Sequence, residues 1–243
     1  MSYPFARTEI LIGQEGVAKL RNQHVLIAGL GGVGSYAAET IARAGVGHLS
    51  LLDHDVIASS NINRQLPALH STIGKLKTEV MAVRLQDINP DLELKLCSDF
   101  LLPGAAEGFL AGGDYHFVAD CIDSIACKAA LVAACINQGI PVISSMGAGN
   151  CLDVTRVRVT RLDKTHGCPL ARELRVRLRA LGSTLKYPVV YSDEPRRQPL
   201  PHQPLEPNTG SRPRAVNGTI SYMPSLFGIM LAGIIIRQLL AEF

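Results

Sequence analysis

The stretch "IAGLGGVGSYAAETIARAGVGHLSLLDHDVIASSNINRQL", residues 27–66, decides the fold. A short apolar run at 24–29 meets a turn carrying Gly29, Gly31, Gly32 and Gly34, and residues 33–44 then repeat Ala, Ile and Tyr at helical spacing. Strand, glycine turn and helix in that order make a phosphate site. The glycines permit a tight turn and a close backbone approach, and the first amides of the helix face the anion. A second apolar run at 48–53 ends in Asp53. Its carboxylate falls about 20 residues beyond the turn, where it can hold ribose hydroxyls. So far NAD and ATP fit equally.

The residues after Asp53 favour the longer anion. Asp55, Asn61, Asn63, Arg64 and Gln65 crowd hydrogen-bonding groups beyond the ribose end, and Lys77 follows on the next helix. A dinucleotide has one pyrophosphate to hold and needs open room for its nicotinamide. Two cations instead suit phosphates whose developing charge must be neutralised. Asp123, just past a later strand, has the hard oxygen ligand to hold Mg2+ beside them. Each residue also has a plain structural reading: a helix cap for Asp123, a surface ion pair for Arg64, a solvated helix face for Lys77.

Downstream the pattern keeps alternating. Helical spacing over 73–88 is followed by apolar runs at 92–96 and 115–121, a helix over 124–138 and a strand at 141–145. This predicts an α/β, Rossmann-like fold, a mostly parallel sheet flanked by helices, with the ligand crevice beyond the carboxyl ends of the strands. Residues 154–160 alternate like a half-exposed strand, and 170–181 read as a helix bearing Arg172, Arg175, Arg177 and Arg179. Seven prolines between 188 and 213 predict a long loop, either a lid or an unstructured connection. A helix closes the chain at about 225–240. The organisation expected is an ATP-binding domain over 1–165 and a basic segment over 166–243 packed on the same domain.

Composition narrows the classes. Residues 1–150 hold 10 basic and 14 acidic side chains, whereas 151–243 hold 14 basic and 7 acidic. A basic carboxyl-terminal part suits a polyanionic substrate, and the four arginines read equally as phosphate contacts or as a solvated helix face. Six cysteines include no CxxC, which suggests neither a zinc site nor a redox dithiol, and a reducing compartment fits best. The apolar run at 227–236 is ten residues long before Arg237 interrupts it, short of the roughly 20 that span a bilayer. No integral membrane span is expected.

Taken together, G-x-G-G-V-G-S, L-D-H-D, S-N-I-N-R-Q, I-G-K-L-K and D-C-I-D-S resemble the E1-like adenylating enzymes, the ThiF/MoeB/HesA superfamily. R-T-E-I-L-I-G at 7–13, K-A-A-L, G-A-G-N and Y-S-D-E are similar to its tRNA threonylcarbamoyladenosine dehydratase (TcdA/CsdL) branch. The resemblance implies ATP with Mg2+: Asp53 on the ribose, Asn61, Arg64 and Lys77 on the phosphates, Asp123 on the metal. It also implies a homodimer in which Arg7 reaches into the neighbour's site. The implied reaction adenylates the carboxylate of N6-threonylcarbamoyladenosine at position 37 of tRNA and cyclises it with loss of water. The location implied is cytoplasmic, free or peripheral at the inner membrane, with a sulfur-transfer protein as a further partner. Adenylation of a ubiquitin-like sulfur-carrier protein is the main rival. A nicotinamide-dependent oxidoreductase and a non-catalytic RNA-binding protein are the others.

Overall fold

The computed structural model describes residues 4–198 and 217–240. In chain order the elements are α1 (Ala6–Arg21), β1 (His24–Ala28), α2 (Gly34–Arg43), β2 (His48–Leu52), α3 (Lys77–Ile88), β3 (Glu93–Cys97) and α4 (Ala106–Ala111). They continue with β4 (Phe117–Asp120), α5 (Ile125–Asn137), β5 (Val142–Ser145), β6 (Val157–Arg161), α6 (Pro169–Ala180), β7 (Pro188–Ser192) and α7 (Tyr222–Leu239). The sheet runs β3-β2-β1-β4-β5-β7-β6. Every neighbouring pair is parallel except β6 with β7. The alternating fold expected from the sequence is the fold observed.

Both faces of the sheet are covered, so its central strands are apolar throughout rather than alternating: Val25, Leu26, Ile27 and Ala28 are all fully buried. One face packs on α1, α2, α3 and α7, with Leu20, Ile41, Met81 and Phe227 in its core. The other packs on α4, α5 and α6, with Leu110, Leu131 and Leu174. Burial of a side chain such as Phe227 stabilises by about 1.5–3 kcal/mol. Helices α2 and α7 touch at a glycine: a methyl group on Gly228 would lie 2.3 Å from the Val33 carbonyl oxygen.

Three differences from the sequence reading have local causes. Residues 188–192, assigned above to the proline-rich loop, form β7, a buried strand between β5 and β6. Pro188 is tolerated as a strand's first residue, where its missing N–H costs least. The terminal helix starts at Tyr222 and spans 18 residues, so it is long and apolar enough by length and composition to cross a membrane. Its buried face lies against α2. Helices α1 and α4, which the apolar periodicity did not announce, complete the two faces. Of the rest of the expected loop, 193–198 have no helix or strand and 199–213 lie outside the described residues.

Position follows from topology. The chain leaves β1 toward β2 and β3, then crosses back to place β4 on the other side of β1. At such a reversal the connections diverge and open a crevice above the carboxyl ends of β1 and β4.

Candidate active site

A cavity of about 570 Å³ lies at that reversal. Its wall includes Gly29, Gly31, Gly32, Asp53, Asp55, Asn61, Arg64, Gln65, Lys77 and Asp123. Gly34 stands behind the wall and Arg7 is exposed on α1, away from the cavity of its own chain. The geometry explains the first and last glycines. Gly29 has φ +92, and a methyl group there would meet the Cys121 carbonyl oxygen at 2.8 Å. At Gly34 a methyl group would lie 1.8 Å from the Gly29 oxygen, so any side chain would force the turn apart. Gly31 differs: its nearest neighbour would be Gln65 Nε2 at 3.8 Å. A side chain there is open to the cavity and would compete with the ligand.

Asp53 is fixed by the turn it faces. The Leu30 amide donates to its Oδ2 at 2.6 Å and the Asp55 amide to its Oδ1 at 2.9 Å. Lys77 opens α3, and its ammonium is buried between Asp55 Oδ2 at 2.7 Å and Asp53 Oδ1 at 3.8 Å. The solvated-face reading of Lys77 therefore fails. Its charge is held at the cavity wall by carboxylates, and a phosphate would compete with Asp55 for it.

Arg64 is half-buried, and its Nη1 donates at 2.8 Å to the Ser60 carbonyl and to Asn63 Oδ1. Among the described residues no carboxylate pairs with it, which removes the surface ion-pair reading. Burial holds its guanidinium below the ordinary arginine value. A desolvated cation without a counterion is a site for an anion. Asn61 closes its own turn, Oδ1 accepting from the Ala58 amide at 3.1 Å. Gln65 Oε1 is buried with no partner among the described residues, an acceptor that a ligand's donor could satisfy.

Asp123 is exposed on the cavity wall. The cap of α5 is Ser124, and no side chain caps that helix, so the capping role for Asp123 is not seen. As an oxygen ligand without a hydrogen-bond partner among the described residues, it suits a hard divalent cation.

Beneath the cavity floor lies a network that the motif reading missed. Asp120, at the end of β4, and Lys128, on α5, are fully buried and bonded at 2.7 Å. Asp120 Oδ2 also accepts from Ser144 Oγ at 2.6 Å, and Oδ1 from the Ile122 amide at 3.2 Å. The pair fixes the segment that carries Asp123. The signal was a lysine inside an apolar helix, IACKAALVAACIN, a residue type almost never buried without a partner.

The cavity's other wall comprises Met146, Gly147, Ala148 and Gly149 after β5, with Thr219 and Pro224; the sequence marks G-A-G-N only as a point of family resemblance, with no site role. The arginines of α6 fare unevenly as phosphate contacts. Arg175 turns inward onto the Thr165 carbonyl at 3.0 Å, and Arg177 pairs with Glu173 at 3.2 Å. Arg172 and Arg179 are exposed.

The ThiF family pattern matches residues 5–242. The chain belongs to the ThiF family. Within the ThiF family it falls in the TcdA/CsdL tRNA threonylcarbamoyladenosine dehydratase branch. It is 36% identical to the Bacillus subtilis tRNA threonylcarbamoyladenosine dehydratase over 100% of this chain and 96% of that protein. Among solved ThiF-family structures, the Escherichia coli tRNA N6-threonylcarbamoyladenosine dehydratase TcdA in complex with AMP superposes with a TM-score of 0.88. That match has 34% identity and covers 98% of this chain and 94% of the other. The same Escherichia coli enzyme in complex with ATP gives a TM-score of 0.87 at 33% identity, with the same coverage of both chains.

Proposed function

We infer that this chain is an ATP-dependent tRNA threonylcarbamoyladenosine dehydratase. The observation that carries the reading is one cavity joining a glycine turn, Asp53, a half-buried Arg64 with no carboxylate partner among the described residues, and a buried Lys77, in a chain that matches such dehydratases along its whole length.

A carboxylate is a poor electrophile and must be activated. Its oxygen attacks the α-phosphorus of ATP, the bond to pyrophosphate breaks, and a mixed anhydride remains. The work of the protein is positioning and charge neutralisation. Asp53 would orient the ribose. The amides after Gly29 would face the phosphates, and Arg64 and Lys77 would take up charge as pyrophosphate leaves. Asp123 fits a bound Mg2+, which would supply further neutralisation of the phosphate oxygens. A nitrogen or oxygen of the same modified base then attacks the activated carbonyl and AMP departs. The elements of water have gone into splitting ATP.

Ring closure within one base needs no enzyme thiol. In keeping with that, burial pushes the Cys121 thiol on the cavity wall up to about 12, far from the thiolate a nucleophile requires. We further propose a homodimer. Ile10 and Leu11 on α1 are 87% and 84% exposed, an apolar pair that a second copy would cover, and the nearby Arg7 would enter the partner's cavity. The cysteines are all free, which suits a cytoplasmic location, free or peripheral at the inner membrane.

The test is mass spectrometry of the nucleoside after incubation with ATP, Mg2+ and tRNA carrying threonylcarbamoyladenosine, under conditions that spare the ring. The expected result is ATP-dependent loss of one water, reduced at least about 100-fold by Lys77→Ala. An unchanged nucleoside, together with pyrophosphate exchange on a sulfur-carrier protein, would transfer the assignment to that reaction.

A further inference from the structure

The second wall of the cavity is a row of backbone amides. The N–H groups of Gly147, Ala148 and Gly149 donate no hydrogen bond among the described residues, although Met146 before them bonds to Val190 and Asn150 after them to Gly218. The carbonyls of Gly147 and Gly149 are engaged by one side chain. Arg196 donates from Nη2 to the Gly147 oxygen at 2.9 Å and from Nη1 to the Gly149 oxygen at 2.6 Å, and it also reaches Cys151 Sγ. In a trans peptide the N–H points opposite to the carbonyl, and no peptide here is cis. The Ala148 amide therefore points away from Arg196. Gly147, Ala148 and Gly149 line the cavity and Arg196 does not.

The loop is held at its far end too. Glu194 Oε2 accepts from the Leu152 and Asp153 amides at 2.9 and 2.8 Å. The Arg197 amide bonds to the Asn150 carbonyl at 3.1 Å, and Asn150 sits at φ +59. Asparagine tolerates this left-handed conformation, which turns the chain at the end of the loop. Free amides of a fixed loop on a cavity wall can receive an anion, and the Arg196 guanidinium, which has no carboxylate partner among the described residues, adds positive potential beside them.

We propose that the amides of Gly147, Ala148 and Gly149 seat the carboxylate of the second substrate, with Arg196 as the residue that positions them. The inference rests on the adenylation reading: the Asp53 side of the cavity takes the nucleotide, and the opposite wall takes the group to be activated. The nest holds the carboxylate for in-line attack on the α-phosphorus and accounts for selection of an acid over a neutral base.

The test compares two anticodon-loop RNAs at one salt concentration, one bearing threonylcarbamoyladenosine as the free acid and the other as its methyl ester. Binding is measured with α,β-methylene-ATP present to block adenylation. The unsubstituted protein should prefer the acid by about tenfold, the worth of charge-assisted hydrogen bonds to one carboxylate. Arg196→Ala should bring that ratio within about twofold and shift affinity for the ATP analogue by less than twofold. Were Arg196→Ala not to fold, Arg196→Lys decides, since one ammonium cannot hold both carbonyls and the ratio must again fall. A preference that survives either substitution, an equal loss of nucleotide affinity, or no preference in the unsubstituted protein overturns the inference. If the unsubstituted protein with ATP leaves the free acid unconverted, the dehydratase reading falls instead.

Discussion

The two walls of the cavity are built on opposite principles. One comes from residues 29–77, a single run of chain in which each group is a side chain or glycine at a telling spacing. The other is assembled from the loop after β5 and from Thr219, with Arg196 supporting the loop from outside the cavity, all brought together only by packing. Its working groups are backbone amides, which every residue but proline possesses. Asn63 Nδ2, donating to the Thr219 carbonyl at 3.0 Å, ties the two walls together. A wall made of side chains announces its chemistry in the sequence, whereas one made of amides does so only in the fold.

Glycines offer the sharpest way to break that contrast, and the largest effect falls on the first wall. Gly34→Ala drives a methyl group against the Gly29 oxygen. Denaturant unfolding should show a loss of more than about 5 kcal/mol or no soluble protein. Next comes the floor shared by both walls. Lys128→Met leaves Asp120 buried without its counterion, which should cost about 3–5 kcal/mol in the same measurement.

A smaller effect should appear at the opposite, amino-terminal edge of the sheet. Burial, with His48 and His116 nearby, holds His24 below the ordinary 6.5. The unfolded chain therefore takes up this proton at a higher pH than the native one. Its contribution to stability is fully present above 6.5 and is lost as pH falls through the native value. Urea midpoints measured downward from neutral pH should decline, and His24→Gln should flatten that slope. The smallest effect belongs to the second wall. A methyl group on Gly147 would meet nothing closer than Leu170 Cβ at 3.7 Å. Gly147→Ala keeps the amide, so it should change stability by under about 1 kcal/mol and leave the preference for the acid in place. A loss comparable with that of Gly34→Ala would remove the distinction between the walls.

Legibility followed the same division. The parallel sheet could be read because apolar runs alternate with helical spacing, and the nucleotide wall because Gly29, Asp53, Arg64 and Lys77 carry chemistry in their side chains. Strand β7 could not: Pro188 and the prolines after it carry a loop signal that burial between two strands overrides. Lys77 was recognised as a site residue, but its bond to Asp55 requires a turn whose path no spacing reveals. The arginines of α6 looked alike in sequence, and only the fold separates the inward Arg175 from the exposed Arg172. Arg196 gave no signal at all, for its partners are carbonyls more than forty residues earlier.

The contact between Gly228 and Val33 has a consequence for the turn that α2 carries. The glycine turn and α2 are neighbours in sequence, yet the helix that backs α2 comes from a distant part of the chain. Without Tyr222–Leu239, Ala37 and Ile41 would lack part of their cover, and the turn that must hold a phosphate would rest on an incomplete layer. The phosphate turn is thus coupled through packing to residues that carry none of its chemistry.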